Sequence, residues 1–354
     1  MTTNHKHYLD LAFKLAEKNL GYTKLNPSVG SIVVKNNSVI SSGVTSINGR
    51  PHSEFNALNK FINFSGSTLY TTLEPCTHYG KTPPCVNIII KKKIKIVFYA
   101  CEDPDTRTYK KAKKILNKKG VKTFLIKSQK YNNFYKSYFI NKKFNIPFVA
   151  AKIASSNDLL TINKKSKWIT NEASRKVAHL LRSYFNAILS TSKSINSDNS
   201  LLNCRIPGLN NYKPDLFIID LNLKLKKNLL LNKIIKKRKT YLITKKNNTI
   251  NLKSYKDLGY KIIILDSLNT KKDFQNLYRK IYKLGYSRVL TETGLTFLNS
   301  LIKNKAIHDL YIFKSAINLS QNGKNNSSSK NLKNIKPKLI QVNLNNDKLY
   351  KKEF

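Results

Sequence analysis

One histidine, one glutamate and two cysteines with zinc-binding chemistry occur in order in the first quarter of the chain. His52-Ser53-Glu54 is followed by Pro75-Cys76 and then by Cys85. One imidazole and two thiolates supply three protein ligands to zinc and leave a fourth position for a water molecule, whose pKa the metal lowers to about 7. Glu54, two residues after His52, is placed to move a proton without binding the metal. The set predicts a hydrolytic zinc centre with His52, Cys76 and Cys85 as ligands and Glu54 as catalytic acid and base.

Each of these residues also has a simpler interpretation. A lone His-x-Glu is common, and single cysteines are more often small buried hydrophobes. A structural zinc site needs a fourth ligand, and His78 is available, although its spacing suits a closed zinc finger poorly. The residues occur in the right order on a helix–strand–loop–helix pattern, which favours the catalytic interpretation. Cys101 and Cys204 are expected to be core or incidental thiols.

The elements expected around this set alternate between helix and strand. In the first half, helices are predicted at 1–20, 52–61, 84–92 and 110–119, and strands at 31–34, 39–43, 68–73, 94–100 and 121–126. This order predicts a three-layer α/β domain over residues 1–147, with helices on both faces of one sheet.

A second α/β domain is expected over residues 148–354, after Asn145-Ile146-Pro147. A helix is predicted at 171–183, and strands at 148–154, 187–190, 216–220, 240–244, 261–265, 288–292 and 310–314. The polar stretch 321–337 has little to bury and is predicted to be a mobile loop. Alternating apolar residues at 340, 342 and 344 predict a closing strand. No Gly-x-Gly-x-x-Gly follows a strand, so a classical dinucleotide-binding domain is not expected.

The charge balance allows two interpretations. There are 65 Lys and Arg against 19 Asp and Glu, a net charge of +46. Neutralisation of phosphates would favour a nucleic-acid partner. However, the cations are spread along the whole chain and most are lysine, not the arginine preferred for bidentate phosphate recognition. Compositional drift is therefore favoured, and no specific nucleic-acid partner is expected.

Compartment and membrane association follow from other features. Four cysteines in 354 residues do not make a disulfide framework. The first twenty residues carry Asp10 and Glu17 and lack the apolar core and cleavage site of a secretory signal. No apolar run approaches the ~20 residues of a membrane span. A cytoplasmic protein without a membrane partner is expected.

Three motifs resemble the bifunctional pyrimidine deaminase–reductase family of riboflavin biosynthesis: Asn26-Pro27-x-Val29-Gly30, His52-x-Glu54, and the run from Thr72 to Cys85. Eight residues separate the two cysteines, whereas nucleic-acid deaminases have two. The resemblance implies a cytidine-deaminase-like N-terminal fold that binds one Zn²⁺. It also implies that Asn26 holds the pyrimidine edge, and that the reaction removes the 2-amino group of a diaminopyrimidinone ribosylamino 5′-phosphate.

The resemblance continues more weakly to about residue 320. It rests on Ser166-Lys167-Trp168-Ile169-Thr170, on His179-Leu180-Leu181-Arg182, on 194–205 and on Glu292-Thr293-Gly294. It implies a dihydrofolate-reductase-like C-terminal domain that uses NADPH, and assembly as a homo-oligomer. The implied substrate contacts are Ser166, Arg182, Leu202, Arg205 and Glu292. The implied NADPH contacts are Ala154, Trp168, Ser194, Asp198 and Gly294, with Asp198 also handling a proton.

The chain departs from the family pattern at several positions. Ser156-Asn157-Asp158-Leu159 lacks a glycine where the backbone needs a positive φ or a close cofactor approach. Thr108 to Lys111 replaces a glycine-rich segment, Asn199-Ser200 replaces Asp-Pro, and Leu221 replaces a cofactor-binding serine.

Two alternatives therefore stay open beside the bifunctional enzyme. One is a zinc deaminase of nucleic-acid bases with a basic C-terminal binding module. The other is a chain that lacks part or all of the activity: a deaminase-only enzyme with a degraded reductase domain, or a non-enzymatic protein that is either a structural zinc protein or a degraded partner subunit.

Overall fold

A computed structural model describes residues 5–209, 214–246 and 252–354. The chain divides into two compact units, Met1–Asn145 and Ile146–Phe354, two residues before the boundary expected after Pro147. A left-handed Asn145 (φ 55°) follows the last helix of the first unit, a conformation that commonly ends helices. In the described ranges, no helix is both long and apolar enough to cross a lipid bilayer.

The described part of the first unit contains five helices and five strands. The helices are α1 (His5–Lys18), α2 (Ser53–Leu58), α3 (Cys85–Lys91), α4 (Ala112–Lys118) and α5 (Gln129–Phe144); the strands are β1 (Gly30–Lys35), β2 (Ser38–Val44), β3 (Thr68–Thr71), β4 (Ile96–Tyr99) and β5 (Lys122–Leu125). The sheet order is β2-β1-β3-β4-β5. β1 is antiparallel to both neighbours, and β3, β4 and β5 are parallel.

Helices cover both faces of this sheet, as predicted. Successive side chains of a strand point to opposite faces, so Ile32 packs in one apolar core with residues of α1 and α5. Val33 packs in the other core with residues of α2, α3 and α4. Helix α5 was not predicted because its buried face consists largely of tyrosines, Tyr131, Tyr135 and Tyr138, set among polar residues that hide the helical periodicity.

The described part of the second unit contains eleven strands and seven helices. The strands are β6 (Phe148–Ser155), β7 (Ile162–Asn163), β8 (Ala187–Thr191), β9 (Asp215–Ile219), β10 (Thr240–Lys245), β11 (Lys261–Leu265), β12 (Arg288–Glu292), β13 (Asp309–Lys314), β14 (Gly323–Lys324), β15 (Lys338–Ile340) and β16 (Lys348–Glu353). The helices are α6 (Glu172–Ser183), α7 (Ser192–Asp198), α8 (Leu230–Lys233), α9 (Lys253–Asp257), α10 (Lys271–Lys283), α11 (Leu295–Lys303) and α12 (Lys330–Asn334).

Nine of these strands form one sheet in the order β11-β10-β9-β8-β12-β6-β13-β16-β15. The strands from β11 to β13 are parallel, and β16 and β15 are antiparallel. The carboxyl ends of the parallel strands therefore share one edge, where α/β sheets bind their ligands. All seven parallel strands were predicted from the sequence.

Two predictions for the end of this unit were wrong. The stretch 321–337 is not a loop without structure: it contains β14 and α12, and Leu332 is buried in the main core. Its asparagines also bond specifically, since Asn325 Oδ1 accepts from the amide and the hydroxyl of Thr161 at 2.9 and 2.8 Å. The sheet is closed not by one strand at 340–344 but by Lys348–Glu353 and by the edge strand Lys338–Ile340, which shares only Ile340 with the prediction. The lysines and glutamate of Lys348–Glu353 conceal its apolar alternation.

Candidate active sites

The predicted zinc ligands converge from three places in the first unit. His52 immediately precedes α2, Cys76 follows β3, and Cys85 begins α3. His52 Nδ1 lies 3.5 Å from Cys76 Sγ and 3.4 Å from Cys85 Sγ, and the three ligand atoms all lie within 4.8 Å of one another. Zinc bonds of about 2.0 Å to nitrogen and 2.3 Å to sulfur in a tetrahedron place N and S about 3.5 Å apart. The donor set and its spacing fit a zinc ion.

No fourth histidine, cysteine or carboxylate joins this group within the described ranges. His78, the candidate for a fourth structural ligand, instead has its Nδ1 3.1 Å from Thr108 Oγ1. Three protein ligands with an open fourth position are the arrangement of catalytic zinc sites, whereas structural sites are closed by four.

The two thiols differ in their proton affinity. Hydrogen bonding from Cys85, and then from His52, lowers the pKa of Cys76 to about 4, and the Cys85 backbone N–H also donates to its sulfur at 3.2 Å. The pKa of Cys85 is raised, because its thiol bonds to Cys76 and is buried. Thiolate character, which metal binding needs, is already present at Cys76.

Glu54 lies in the first turn of α2 and is only 4% exposed. The Ser53 hydroxyl donates to Glu54 Oε2 at 2.9 Å and lies 2.8 Å from the Ser31 hydroxyl. Burial, and then the charge of Cys76, raise the pKa of Glu54. A carboxyl group whose ionised form is disfavoured in this way is suited to exchange a proton during a reaction.

His52, Cys76 and Glu54 line a cavity of about 240 Å³. The predicted substrate contact Asn26 lines it too, and its Nδ2 donates to the Gly49 carbonyl at 3.2 Å. Gly49 has φ +88°, and a Cβ there would lie 2.4 Å from Asn26 Nδ2. Gly49 therefore fixes the position of Asn26. Gly49 was not predicted to belong to the site, although Asn48-Gly49 is a dipeptide typical of turns.

Charged residues form the other wall of the cavity: Arg50, Lys81, Asp103, Asp105, Arg107 and Lys142. Asp105 holds the last two of these, since Arg107 Nε donates to Oδ1 at 2.8 Å and Lys142 Nζ donates to Oδ2 at 2.8 Å. Those bonds lower the pKa of Asp105. Apart from Lys81, which lies in the 78–82 loop that the family resemblance places beside the substrate, none of these residues was assigned to the site from the sequence, because single surface charges are usually solvated.

Glu74 organises the segment that carries these charges. Its carboxylate accepts the backbone N–H groups of Asp103, Lys110 and Ala112 at 3.0–3.2 Å. A buried carboxylate that accepts three backbone donors fixes a loop without regular secondary structure. Glu74 was part of the quoted cysteine motif, but its function was not predicted.

In the second unit, the predicted residues Arg182 and Glu292 form a buried ion pair. Arg182 Nε and Nη2 donate to the two carboxylate oxygens at 2.6 and 3.0 Å, and Lys152 Nζ lies 3.9 Å from the carboxylate. Burial alone would raise the pKa of Glu292, but Arg182 and then Lys152 lower it to about 2. Glu292 is therefore a fixed negative charge that orients a guanidinium.

Asp198 is the last residue of α7, in the electrostatic field of Lys167 and Lys152. Burial raises its pKa, and the two lysines partly oppose that shift. Lys152 was missed in the sequence analysis. Lys152 could have been identified from the sequence as a candidate site residue, because it is the single lysine in the otherwise apolar strand β6. Parallel strands buried on both faces rarely contain a charge.

Ser194 and Gly294 meet at the carboxyl edge of the sheet. Gly294 N donates to Ser194 Oγ at 3.2 Å, and the two residues lie at the starts of α7 and α11 after the neighbouring parallel strands β8 and β12. Two helix starts, where backbone N–H groups and the helix dipole suit phosphate groups, therefore lie side by side. The third predicted cofactor contact, Ala154, lies on β6, which pairs with β12.

The remaining predicted contacts lie in segments without long helices or strands. Ser166 and Trp168 follow β7 and are exposed, and Arg175 stacks over the Trp168 ring at 4.7 Å. In the ranges that the structure describes, no hydrogen bond or ion pair joins them to Arg182 or Glu292. Leu202, which has φ 47°, and Arg205 lie after α7, and the Arg205 N–H donates to His179 Nδ1 at 3.2 Å.

Comparisons with known proteins agree with this division. Residues 2–101 match the cytidine and deoxycytidylate deaminase zinc-binding region, and residues 147–347 match the RibD C-terminal domain. The riboflavin biosynthesis protein RibD of Aquifex aeolicus (strain VF5) is 33% identical over 317 residues, which are 87% of this chain and 86% of that protein. The RibD protein of Buchnera aphidicola subsp. Baizongia pistaciae (strain Bp) is also 33% identical, over 86% of this chain and 85% of its own.

Solved structures show the same two-domain architecture. Form 1 of Acinetobacter baumannii RibD superposes with a TM-score of 0.83 at 25% identity, covering 98% of both chains. The diaminohydroxyphosphoribosylaminopyrimidine deaminase/5-amino-6-(5-phosphoribosylamino)uracil reductase of Thermotoga maritima superposes with a TM-score of 0.81 at 25% identity, covering 98% of this chain and 97% of its own. The first unit has the cytidine-deaminase fold and the second the dihydrofolate-reductase-like fold of RibD reductases, so the chain belongs to the RibD family of bifunctional deaminase–reductases of riboflavin biosynthesis.

Proposed function

We propose that the chain catalyses two consecutive reactions on one pyrimidine. The first is zinc-dependent hydrolytic deamination of 2,5-diamino-6-ribosylamino-4(3H)-pyrimidinone 5′-phosphate. The second is NADPH-dependent reduction of the ribosyl side chain to a ribityl chain. The observation that carries the proposal is the triangle of His52 Nδ1, Cys76 Sγ and Cys85 Sγ, at a cavity that His52, Cys76 and the buried Glu54 line.

In the deamination, the protein supplies position and proton transfer. One zinc ion per chain, held by His52, Cys76 and Cys85, would supply an acidified water molecule. Asn26 presents both a donor and an acceptor to the pyrimidine edge, and Gly49 fixes its amide. Glu54 takes a proton on the water side and gives it to the departing amino group, which leaves as ammonia. The hydroxyl of Ser53 holds the Glu54 carboxylate during this transfer.

In the reduction, NADPH supplies hydride and the protein supplies charge and a proton. Ser194, Gly294, Ala154 and Trp168 hold the cofactor, with the two helix starts at Ser194 and Gly294 on its phosphates. Arg182 and Arg205 hold the substrate phosphate, because guanidinium N–H groups form charge-assisted hydrogen bonds to phosphate oxygens. The other substrate contacts are Ser166, Leu202 and Glu292.

Asp198 handles the proton of this reduction. Opening of the ribosylamine ring gives a C=N bond. With NADPH bound, hydride would go to the carbon of that bond, its π electron pair would go to the nitrogen, and one proton from Asp198 would go to the nitrogen, which gives the ribityl chain. Arg182, Glu292, Lys152 and Asp198 form a charged cluster. Retention of this cluster supports a functional reductase over the alternative of a degraded second domain.

Purified chain incubated with the small pyrimidine and NADPH tests both steps. We expect ammonia release first, and then oxidation of NADPH, followed at its near-ultraviolet absorbance. Asp198→Ala should keep the ammonia and lose the oxidation. Ammonia released only from transfer RNA or oligonucleotides would overturn the proposal in favour of a nucleic-acid deaminase, and ammonia without NADPH oxidation would reduce the chain to a deaminase.

We also propose, from the family resemblance, that the chain assembles as a homo-oligomer in the cytoplasm. Light scattering on the purified protein tests the assembly, and a monomer at micromolar concentration would contradict it.

A further inference from the structure

The segment 199–205 of the second unit is held in place by side chains from outside it. It contains no helix or strand after Asn199. Arg238 donates to the carbonyl oxygens of Leu201 and Leu202, to the latter at 2.8 Å, and Arg182 Nη1 donates to the Asn203 carbonyl at 2.8 Å. Since backbone bonds of a regular element are missing, these contacts determine where Leu202 and Arg205 lie.

His179 on α6 is the third such side chain, and it contacts both arginines proposed to bind phosphate. Its Nδ1 accepts the Arg205 backbone N–H at 3.2 Å and lies 3.4 Å from Arg182 Nη1. A backbone N–H can only donate, so Nδ1 carries its lone pair and the ring proton is on Nε2. One ring nitrogen therefore links the backbone of Arg205 to the guanidinium of Arg182.

The surroundings keep this ring neutral. The charges that face it are those of Arg182, Arg205 and Glu292. Burial, and then the two arginines, lower the pKa of His179 to about 4. The acceptor function of Nδ1 is thus retained throughout the neutral range.

We infer that His179 is a positioning residue of the reductase site, whose Nδ1 sets the spacing of Arg182 and Arg205 and thereby the affinity for the substrate phosphate. The inference rests on the proposed function, in which these arginines bind that phosphate. Arg205 Nη1 also bonds to Asn203 Oδ1 at 3.0 Å, so a shift of the segment moves the guanidinium as well as the backbone. Two guanidinium groups reach one phosphate together only if their spacing matches it, since each contributes charge-assisted hydrogen bonds, and loss of the His179 contact relaxes that spacing.

Three substitutions distinguish the effect of losing the Nδ1 acceptor from the effect of losing the imidazole ring. In His179→Asn, Oδ1 is bonded to Cγ as Nδ1 is, so the acceptor stays in place. His179→Gln moves the acceptor one carbon further, and His179→Ala removes it. We expect the Gln and Ala variants to raise the reductase KM for the phosphorylated substrate about tenfold, the effect of one lost hydrogen bond. In the Gln and Ala variants, the reductase kcat and the KM for NADPH should stay within about twofold of the wild-type values. In the Asn variant, all three constants should stay within about threefold of the wild-type values.

Two controls are available. Deaminase rate and zinc content in the same chain report on the intact first unit, and the dephosphorylated substrate reports on phosphate recognition. Its KM should be equal in the wild type and the Gln variant. An unchanged KM for the phosphorylated substrate in His179→Gln would overturn the inference, as would an Asn variant as defective as the Ala variant, or equal losses on both substrates. If the wild type itself fails to reduce the substrate, the proposed function fails, and this inference fails with it. If the wild type reduces the substrate and the Gln and Ala variants have the same KM as the wild type, only this inference fails.

Discussion

Both units contain a buried glutamate at the centre of the site, and the two glutamates are held in opposite ways. Glu54 accepts from the neighbouring hydroxyl of Ser53 and lies near a thiolate, so burial and negative charge raise its pKa. Glu292 accepts two bonds from Arg182 and faces Lys152, and its pKa falls to about 2. The first carboxyl group can exchange a proton, whereas the second is a permanent charge.

The difference shows how two carboxylates of similar burial acquire different functions. Desolvation disfavours the charged form of both, and the neighbouring charge decides the outcome. In the function we propose, the first unit uses its glutamate for proton transfer and a metal for charge. The second unit uses its glutamate to orient a guanidinium, and the proposal assigns its proton transfer to Asp198, a carboxyl group whose pKa burial raises.

The largest expected effect comes from Glu54→Gln. The amide keeps the size of the side chain and cannot carry a proton, so deamination should fall by a factor of about 10²–10⁴, the usual contribution of general acid–base catalysis. Zinc content and the NADPH-dependent reduction of added deaminated pyrimidine should not change. Ammonia release is the measurement, and Glu17→Gln on the exposed surface of α1 is the control. A Gln variant with wild-type deamination would show that Glu54 is not the proton carrier.

The next effect is on stability, from Glu292→Gln. Removal of one member of a buried ion pair leaves Arg182 without a counter-charge, which costs about 3–5 kcal/mol. Denaturant unfolding of the second unit measures it. Glu172→Gln, which breaks the exposed pair with Lys176 on α6, is the matched control and should show no measurable change.

The difference in unfolding free energy between the wild type and Glu292→Gln should depend on pH in a definite direction. The folded-state pKa of Glu292, about 2, lies below its ordinary value of 4.5. Its stabilisation is therefore complete above about pH 4.5 and is lost as the pH falls towards 2. The gap in unfolding free energy between wild type and Glu292→Gln should narrow over that window. A gap independent of pH would contradict the assignment of Glu292 as a fixed charge.

A smaller and more local effect is expected from Gly49→Ala. The new Cβ meets the Asn26 amide and the backbone has φ +88°, so the deaminase KM should rise about tenfold while reduction is unaffected. Gly66→Ala is a close control, because Gly66 has φ +78° and no atom within 4 Å of a new Cβ. Both variants should lose about 1 kcal/mol of stability from the left-handed backbone, and Gly49→Ala should lose more, because its Cβ would also lie 2.7 Å from the Thr23 carbonyl oxygen. Equal deaminase KM values in the two variants would disprove the positioning of Asn26 by Gly49.

The smallest effects concern two positions where the chain lacks a family glycine. Leu159 and Lys110 have φ 62° and 59°, one in each unit. Leu159→Gly relieves a left-handed backbone that costs a leucine about 1–2 kcal/mol, partly offset by about 0.5–1 kcal/mol of extra freedom in the unfolded chain. A small stabilisation, measured as a higher urea midpoint, is expected there and, with the same sign, in Lys110→Gly. A clear loss of stability in both variants would contradict this account of the departures.

Prediction from the sequence succeeded where the determinants lie close together in the chain. The zinc set spans only His52 to Cys85, and its spacing could be recognised before any fold was known. The central strands of both sheets were also predicted, because buried strands are nearly continuous apolar runs. The requirement for a positive φ after Asp158 was expected from the missing glycine, and Leu159 adopts it.

What could not be predicted depends on pairing between distant residues. Arg182 meets Glu292 across 110 positions, and Glu74 bonds to Lys110 and Ala112 across 36 and 38. The family resemblance singled out Arg182 and Glu292 as substrate contacts, but the sequence did not show that they pair with each other, and Glu74 is an ordinary charged residue in it. Strand β16 and the segment 321–337 were mispredicted for a related reason, since tertiary contacts of Leu332 and Asn325 order a stretch whose composition is polar.

Zinc-edge X-ray absorption of the purified chain, normalised to protein concentration, tests the central claim most directly. The account predicts one zinc per chain with two sulfur neighbours at about 2.3 Å, and one nitrogen and one oxygen at about 2.0 Å. A chain without stoichiometric zinc, or a zinc ion enclosed by four protein ligands, would contradict it.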